Sequence, residues 1–149
     1  MTQEPPVPKS VLIVDDHEAI RRELRRLFQS QPDFVVCGEA VDGVDAVSKA
    51  EELSPDLVIM DLSMPEMNGL EAGAAIRFML PNAVVILLTA YKNRELELAA
   101  RQSGIKAVCS KYDNVNDLLC RARAELKLAP GSDDRSEAPV RKPADPPEG

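Results

Sequence analysis

The chain has 149 residues, 44% of them hydrophobic, enough for one domain built around one core. Its formal net charge of −7 argues against a surface made to hold a nucleic-acid backbone. Trp is absent and aromatics make up only 3%, so the core has to be aliphatic.

Residues 1–9, with Pro5, Pro6 and Pro8, are expected to form a flexible leader, and they lack the apolar centre of a signal peptide. No stretch of the chain is apolar for long enough to span a bilayer, so a cytoplasmic protein without a membrane partner is expected. Residues 10–14 read as a first strand with both faces covered, ending at Asp15 and Asp16. Helical spacing follows. Ile20, Leu24, Leu27 and Phe28 make one apolar stripe, and Arg21, Arg22, Arg25 and Arg26 read as a solvated opposite face. His17, between the acids and the stripe, is the only histidine, which excludes a site of several histidines but not one of carboxylates.

Pro32 breaks that helix, and residues 34–38 read as a second strand. A helix over residues 43–53 stops at Ser54-Pro55. The run Asp56-Leu57-Val58-Ile59-Met60 is a third, central strand with Asp61 at its end. A carboxylate beside such a run costs several kcal/mol to bury unpaired, so Asp61 is expected at the open C-terminal edge of the sheet. Met64-Pro65 and Asn68-Gly69 then mark a turn-rich loop before a helix over residues 70–79. Residues 83–88 form the fourth strand, ending at Thr89, and residues 92–103 a helix that Gly104 caps. Residues 106–109 are a short fifth strand, with Ser110 and Lys111 just past it, and the last helix covers residues 114–128. From residue 130 to 149 there are five prolines and a single aliphatic residue larger than alanine, the composition of a disordered acidic tail. Cys37, Cys109 and Cys120 show no CxxC spacing and read as reduced thiols.

Strands alternating with helices predict a doubly wound α/β domain: five parallel strands in the flavodoxin-like order 2-1-3-4-5, helices on both faces, over residues 10–129. In that order Asp15, Asp16, Asp61, Thr89 and Lys111 meet along one edge, at the switch point beside strands one and three. Each has an ordinary explanation alone: a helix cap, a strand-end hydroxyl, a surface lysine. Their joint occurrence points to a site. Two full charges about 4 Å apart at an effective dielectric of about 20 repel by roughly 4 kcal/mol, so three acids in one pocket call for a proton or a cation. Mg2+ suits the donors because it accepts few carboxylates and keeps waters for a phosphoryl group, with Mn2+ as a substitute. Lys111 and Thr89 are placed to hold phosphoryl oxygens, and the pocket suits phosphoryl transfer to a carboxylate.

The segments VLIVDDHEAIRREL, PDLVIMDLSMPEMNGLEA and VVILLTA, with the lysine after strand five, resemble the receiver domain of bacterial two-component response regulators. The resemblance implies that Asp61 accepts a phosphoryl group from a sensor histidine kinase or phosphotransfer protein. It also implies that Asp15 and Asp16 hold Mg2+ together with Asp61 and the Ser63 backbone carbonyl, that Thr89 is the switch hydroxyl, and that Lys111 binds the phosphate. Such a domain is a signalling phosphoacceptor that catalyses only its own phosphorylation and dephosphorylation. No helix-turn-helix or catalytic-domain pattern follows Leu128, so a stand-alone receiver is expected, the alternative being a fragment that ends in a linker. Its target would be a protein bound at the face of the fourth helix, fifth strand and fifth helix, with no direct nucleic-acid partner. Two positions depart from the pattern: Val108 stands where such domains often carry an aromatic, and Tyr112 where a proline often follows the lysine. A phosphatase of the haloacid dehalogenase type is disfavoured because Asp61-Leu62-Ser63 lacks a second acid. A flavodoxin-like nucleotide binder is disfavoured because Asp15-Asp16-His17-Glu18 would repel a phosphate. An interaction module that is never phosphorylated would be expected to have lost an acid or the lysine.

Overall fold

Unbroken apolar strands need cover on both faces, and the chain supplies it by placing its first and last helices on one side of a single sheet and the three between them on the other. The computed structural model describes residues 7–64 and 67–128. The strands are β1 (Lys9–Val14), β2 (Phe34–Ala40), β3 (Leu57–Asp61), β4 (Val84–Thr89) and β5 (Ala107–Ser110). Between and after them run the helices α1 (Glu18–Gln29), α2 (Gly43–Leu53), α3 (Gly69–Met79), α4 (Arg94–Gln102) and α5 (Val115–Leu126). The strands lie in the order β2-β1-β3-β4-β5, and each adjacent pair is parallel, as the sequence predicts.

The period of two along each strand divides the core into two layers. Val11, Ile13, Leu57, Ile59, Val84 and Ile86 face α1 and α5, where Leu24, Phe28, Leu118, Leu119 and Ala122 meet them. Leu12, Val14, Val58, Met60, Val85 and Leu87 face the other three helices through Ala46, Ala50, Ala72, Ile76 and Ala100. The small residues on that side let the helices approach closely. Phe28 and Phe34 meet edge to face, with centroids 5.0 Å apart.

Several boundaries differ from expectation for local reasons. Lys9 belongs to β1 rather than the leader, because its N–H reaches the Asp33 carbonyl at 2.9 Å. Asp56 lies outside β3, where its carboxylate accepts from the Ser10 N–H at 2.9 Å and hydroxyl at 3.2 Å. β2 runs on to Ala40, past a bulge: Val11 pairs with Val36 and Leu12 with Gly38, leaving Cys37 unmatched. α4 starts at Arg94 because the Asn93 side chain accepts from the Leu96 N–H at 2.8 Å. Gly104, at φ +87°, follows its last turn in the left-handed conformation. The acidic tail expected at 130–149 lies outside the described residues. Among the described residues no helix is long and apolar enough to cross a membrane.

Candidate functional site

β1 and β3 are neighbours, so their C-terminal ends deliver Asp15 and Asp61 to the same place. Asp15 is fully buried and Asp61 nearly so, while Asp16 and His17 are exposed at the mouth. Ligand atoms of Asp15, Asp16, His17 and Asp61 all lie within 4.8 Å of one another. Lys111, one residue past β5, brings its ammonium 3.1 Å from Asp61 Oδ1 and 3.6 Å from Asp15 Oδ2. The Ser63 N–H also donates to Asp61 Oδ1, at 3.3 Å. Among the described residues nothing is hydrogen-bonded to Asp61 Oδ2, and the buried Asp15 Oδ2 has no hydrogen-bond partner either.

The electrostatics are lopsided. Burial pushes the Asp61 carboxyl above the usual carboxylate range, with the Asp15 charge adding to it and the Lys111 hydrogen bond opposing it. Burial alone would lower Lys111, but the hydrogen bond it donates to Asp61 and the charges of Asp61 and Asp15 raise it, so the ammonium is firmly held. One lysine therefore offsets only part of the negative charge.

A divalent cation fits this pocket. Its donors are carboxylate oxygens, and the buried Asp15 Oδ2 accepts no hydrogen bond, with Lys111 no nearer than 3.6 Å. The α3 end of the loop is held tightly. Asn68 caps α3 in a reciprocal box with Glu71, and a Cβ at Gly69 would lie 2.4 Å from the Asp61 carbonyl oxygen.

The structure thus joins Asp15, Asp16, Asp61 and Lys111 as expected from the sequence. Thr89 is at the same edge and buried, but its hydroxyl is engaged with its own loop, accepting from the Tyr91 N–H at 3.2 Å. The Ser63 carbonyl has no described hydrogen-bond donor. Val108 is packed in the core, whereas Tyr91 and Tyr112 are exposed. Two groups escaped the sequence reading. His17 reads as a lone histidine in the sequence, although its place directly after two acids is a usable signal. Arg21 and Arg25 were read as solvated, yet both reach Glu39 on β2, and Arg21 also donates to the Asp15 carbonyl at 2.7 Å. That bond anchors the backbone that carries the acidic pair.

An acidic cluster with a lysine at the switch point of a 2-1-3-4-5 sheet is the layout of a signalling phosphoacceptor domain. The sequence profile described as "Response regulator receiver domain" matches residues 11–123, and the chain belongs to that family. It is a receiver of two-component signalling, a domain activated by phosphorylation. Over 109 residues it is 44% identical to the uncharacterized transcriptional regulatory protein YhcZ of Bacillus subtilis, covering 73% of this chain and 51% of that protein. It is 39% identical over 112 residues to the response regulator protein VraR of Staphylococcus saprophyticus, covering 75% of this chain and 54% of that one. The receiver domain of the putative response regulator NarL from Mycobacterium tuberculosis superposes with a TM-score of 0.77 at 28% identity, over 82% of this chain and 98% of that one.

The chain spans about half the length of the curated relatives it matches. These relatives correct one expectation, that the receiver acts only through a protein target at the face of α4, β5 and α5, with no direct nucleic acid. YhcZ is named a transcriptional regulator. The inference failed because the charge of −7 describes the residues counted, and a receiver's own surface does not report what an attached or associated portion contacts.

Proposed function

We propose that Asp61 is the phosphoryl acceptor and that a histidine kinase's phosphohistidine is the donor. The observation that carries this reading is the asymmetry of the Asp61 carboxylate. Lys111 and the Ser63 N–H hold Oδ1, and Oδ2 is left without a described partner beside the acidic pair. In the transfer Oδ2 attacks phosphorus, the phosphorus–nitrogen bond to the donor imidazole breaks, and an aspartyl phosphate results. Asp15, Asp16, Asp61 and the Ser63 carbonyl would hold Mg2+, or Mn2+ in its place. The ion supplies neutralisation of the charge that builds on the phosphoryl oxygens. Lys111 balances another phosphoryl oxygen, and Thr89 leaves its contact with Tyr91 to donate to a third. The same residues position water for loss of the phosphoryl group, so the domain catalyses its own phosphorylation and dephosphorylation and nothing else. The functional unit is the receiver over residues 10–129, in a cytoplasmic protein.

The names of the relatives support a further step, that the output is control of transcription. DNA contact then belongs to a portion beyond the receiver residues, in the same polypeptide or in a partner. The acceptor assignment is tested by treating wild type and Asp61→Asn with acetyl phosphate and Mg2+ and weighing the intact proteins. Wild type should gain one phosphoryl mass and the variant none; equal gain in both would overturn the assignment.

A further inference from the structure

We propose that His17 is a ligand of the cation site, and that its imidazole biases the site toward divalent ions that accept nitrogen, such as Ni2+, over Mg2+. The proposal rests on the reading of the acidic pocket as a cation site. Nδ1 of His17 lies 3.1 Å from Asp15 Oδ1 and 3.1 Å from Asp16 Oδ1, and belongs to the same 4.8 Å cluster as the Asp61 carboxylate. Its position is fixed through the main chain, because the His17 N–H donates to Asp15 Oδ1 at 2.9 Å. The ring itself is 66% exposed and free to adjust about that anchor. The orphaned, fully buried Asp15 Oδ2 is an independent sign that the pocket is built around a missing positive charge. Lys111 approaches that oxygen only to 3.6 Å.

An ion that enters between the carboxylates would take the Nδ1 lone pair in place of one coordinated water, with the N–H of the bound ring on Nε2. A site of carboxylates, carbonyl and water favours Mg2+, Ca2+ and Mn2+ alike. One imidazole shifts the preference toward Ni2+ and its neighbours, which gain far more from nitrogen than Mg2+ does.

Because His17 is the only histidine in the chain, every imidazole signal from a bound ion must come from it. The experiment uses untagged protein as wild type, His17→Ala, His17→Phe and Asp16→Asn. Calorimetry gives the affinities for Mg2+ and Ni2+, and proton NMR of the Ni2+ adduct looks for a ring N–H resonance shifted far outside the diamagnetic range and lost in D2O. Wild type should show that resonance and both His17 variants should lack it. The ratio of Ni2+ to Mg2+ affinity should fall about tenfold or more in both variants. An unchanged ratio, or no shifted ring resonance in wild type, overturns the assignment of His17 as a ligand. A deeper failure is read separately: wild type that binds no Mg2+ would overturn the cation site itself, and with it the proposal, whereas Asp16→Asn, which should weaken Mg2+ binding, checks that the ion sits in this pocket.

Discussion

Lys111 is the residue on which the balance of the site turns, since one ammonium faces two buried carboxylates. Replacing it by methionine keeps the apolar stem and removes the charge, leaving Asp15 and Asp61 opposed without compensation. Lys111→Met should lose about 1–3 kcal/mol in urea unfolding of the ion-free protein. Saturating Mg2+ should close most of that gap, because a cation does the neutralising instead. The three thiols differ just as plainly. Burial pushes the Cys109 thiol up and, at the β2 bulge, the Cys37 thiol as well, whereas Cys120 is exposed on α5. Alkylation by iodoacetamide at neutral pH should therefore mark Cys120 first and Cys109 last, as peptide mass mapping would show.

At the scale of elements, two close contacts tie the layers together. The loop before β2 is clasped to α5 by Arg123, whose guanidinium meets Asp33 at 2.8 and 3.0 Å, Gln31 at 2.8 Å and the Phe34 ring at 5.6 Å. The Arg123 hydrogen bond and charge hold the Asp33 carboxyl below its usual range against the cost of burial. A carboxyl with a depressed folded pKa stabilises the fold above its unfolded value of about 3.9, and that contribution is lost as pH falls through the folded value. Asp33→Asn should thus cost about 1–2 kcal/mol at pH 7 in urea unfolding, with the difference from wild type shrinking below about pH 4. The second contact is the start of α3 against the back of Asp61. Gly69→Ala would drive a Cβ against the backbone of Asp61 and Leu62, at 2.4 and 2.9 Å, where nothing can rotate away. A loss of about 1–3 kcal/mol in thermal or urea unfolding is expected, together with weaker Mg2+ binding because the acceptor strand is displaced.

For the whole molecule, the cation and the fold are linked by mass action. An ion that binds only the folded chain stabilises it by about 2.7 kcal/mol at a concentration a hundred times its dissociation constant. Thermal melts should move up with Mg2+ in wild type and much less in Asp16→Asn, while the apo variant melts above apo wild type because one repelling charge is gone. A variant whose Mg2+ shift matched wild type would remove Asp16 from the ligand set.

Much of this molecule is determined locally and is therefore legible in the sequence. Unbroken apolar runs of strand length specify buried parallel strands, helical spacing specifies the cover, and polar residues that end those runs are carried to the sheet edge. The order of elements and the gathering of Asp15, Asp16, Asp61 and Lys111 follow from that. What only the tertiary structure decided are contacts between residues whose separation along the chain carries no periodic signal. Register sets Lys111 between two acids, and a bulge at Cys37 shifts the pairing of β2. Glu39 draws Arg21 and Arg25 out of solvent, and Asp33 finds Arg123 across 90 positions. Charged side chains read locally as solvated because exposure is their default. Whether a partner waits within about 3 Å depends on how two layers are stacked, and that is a property of the packed chain alone.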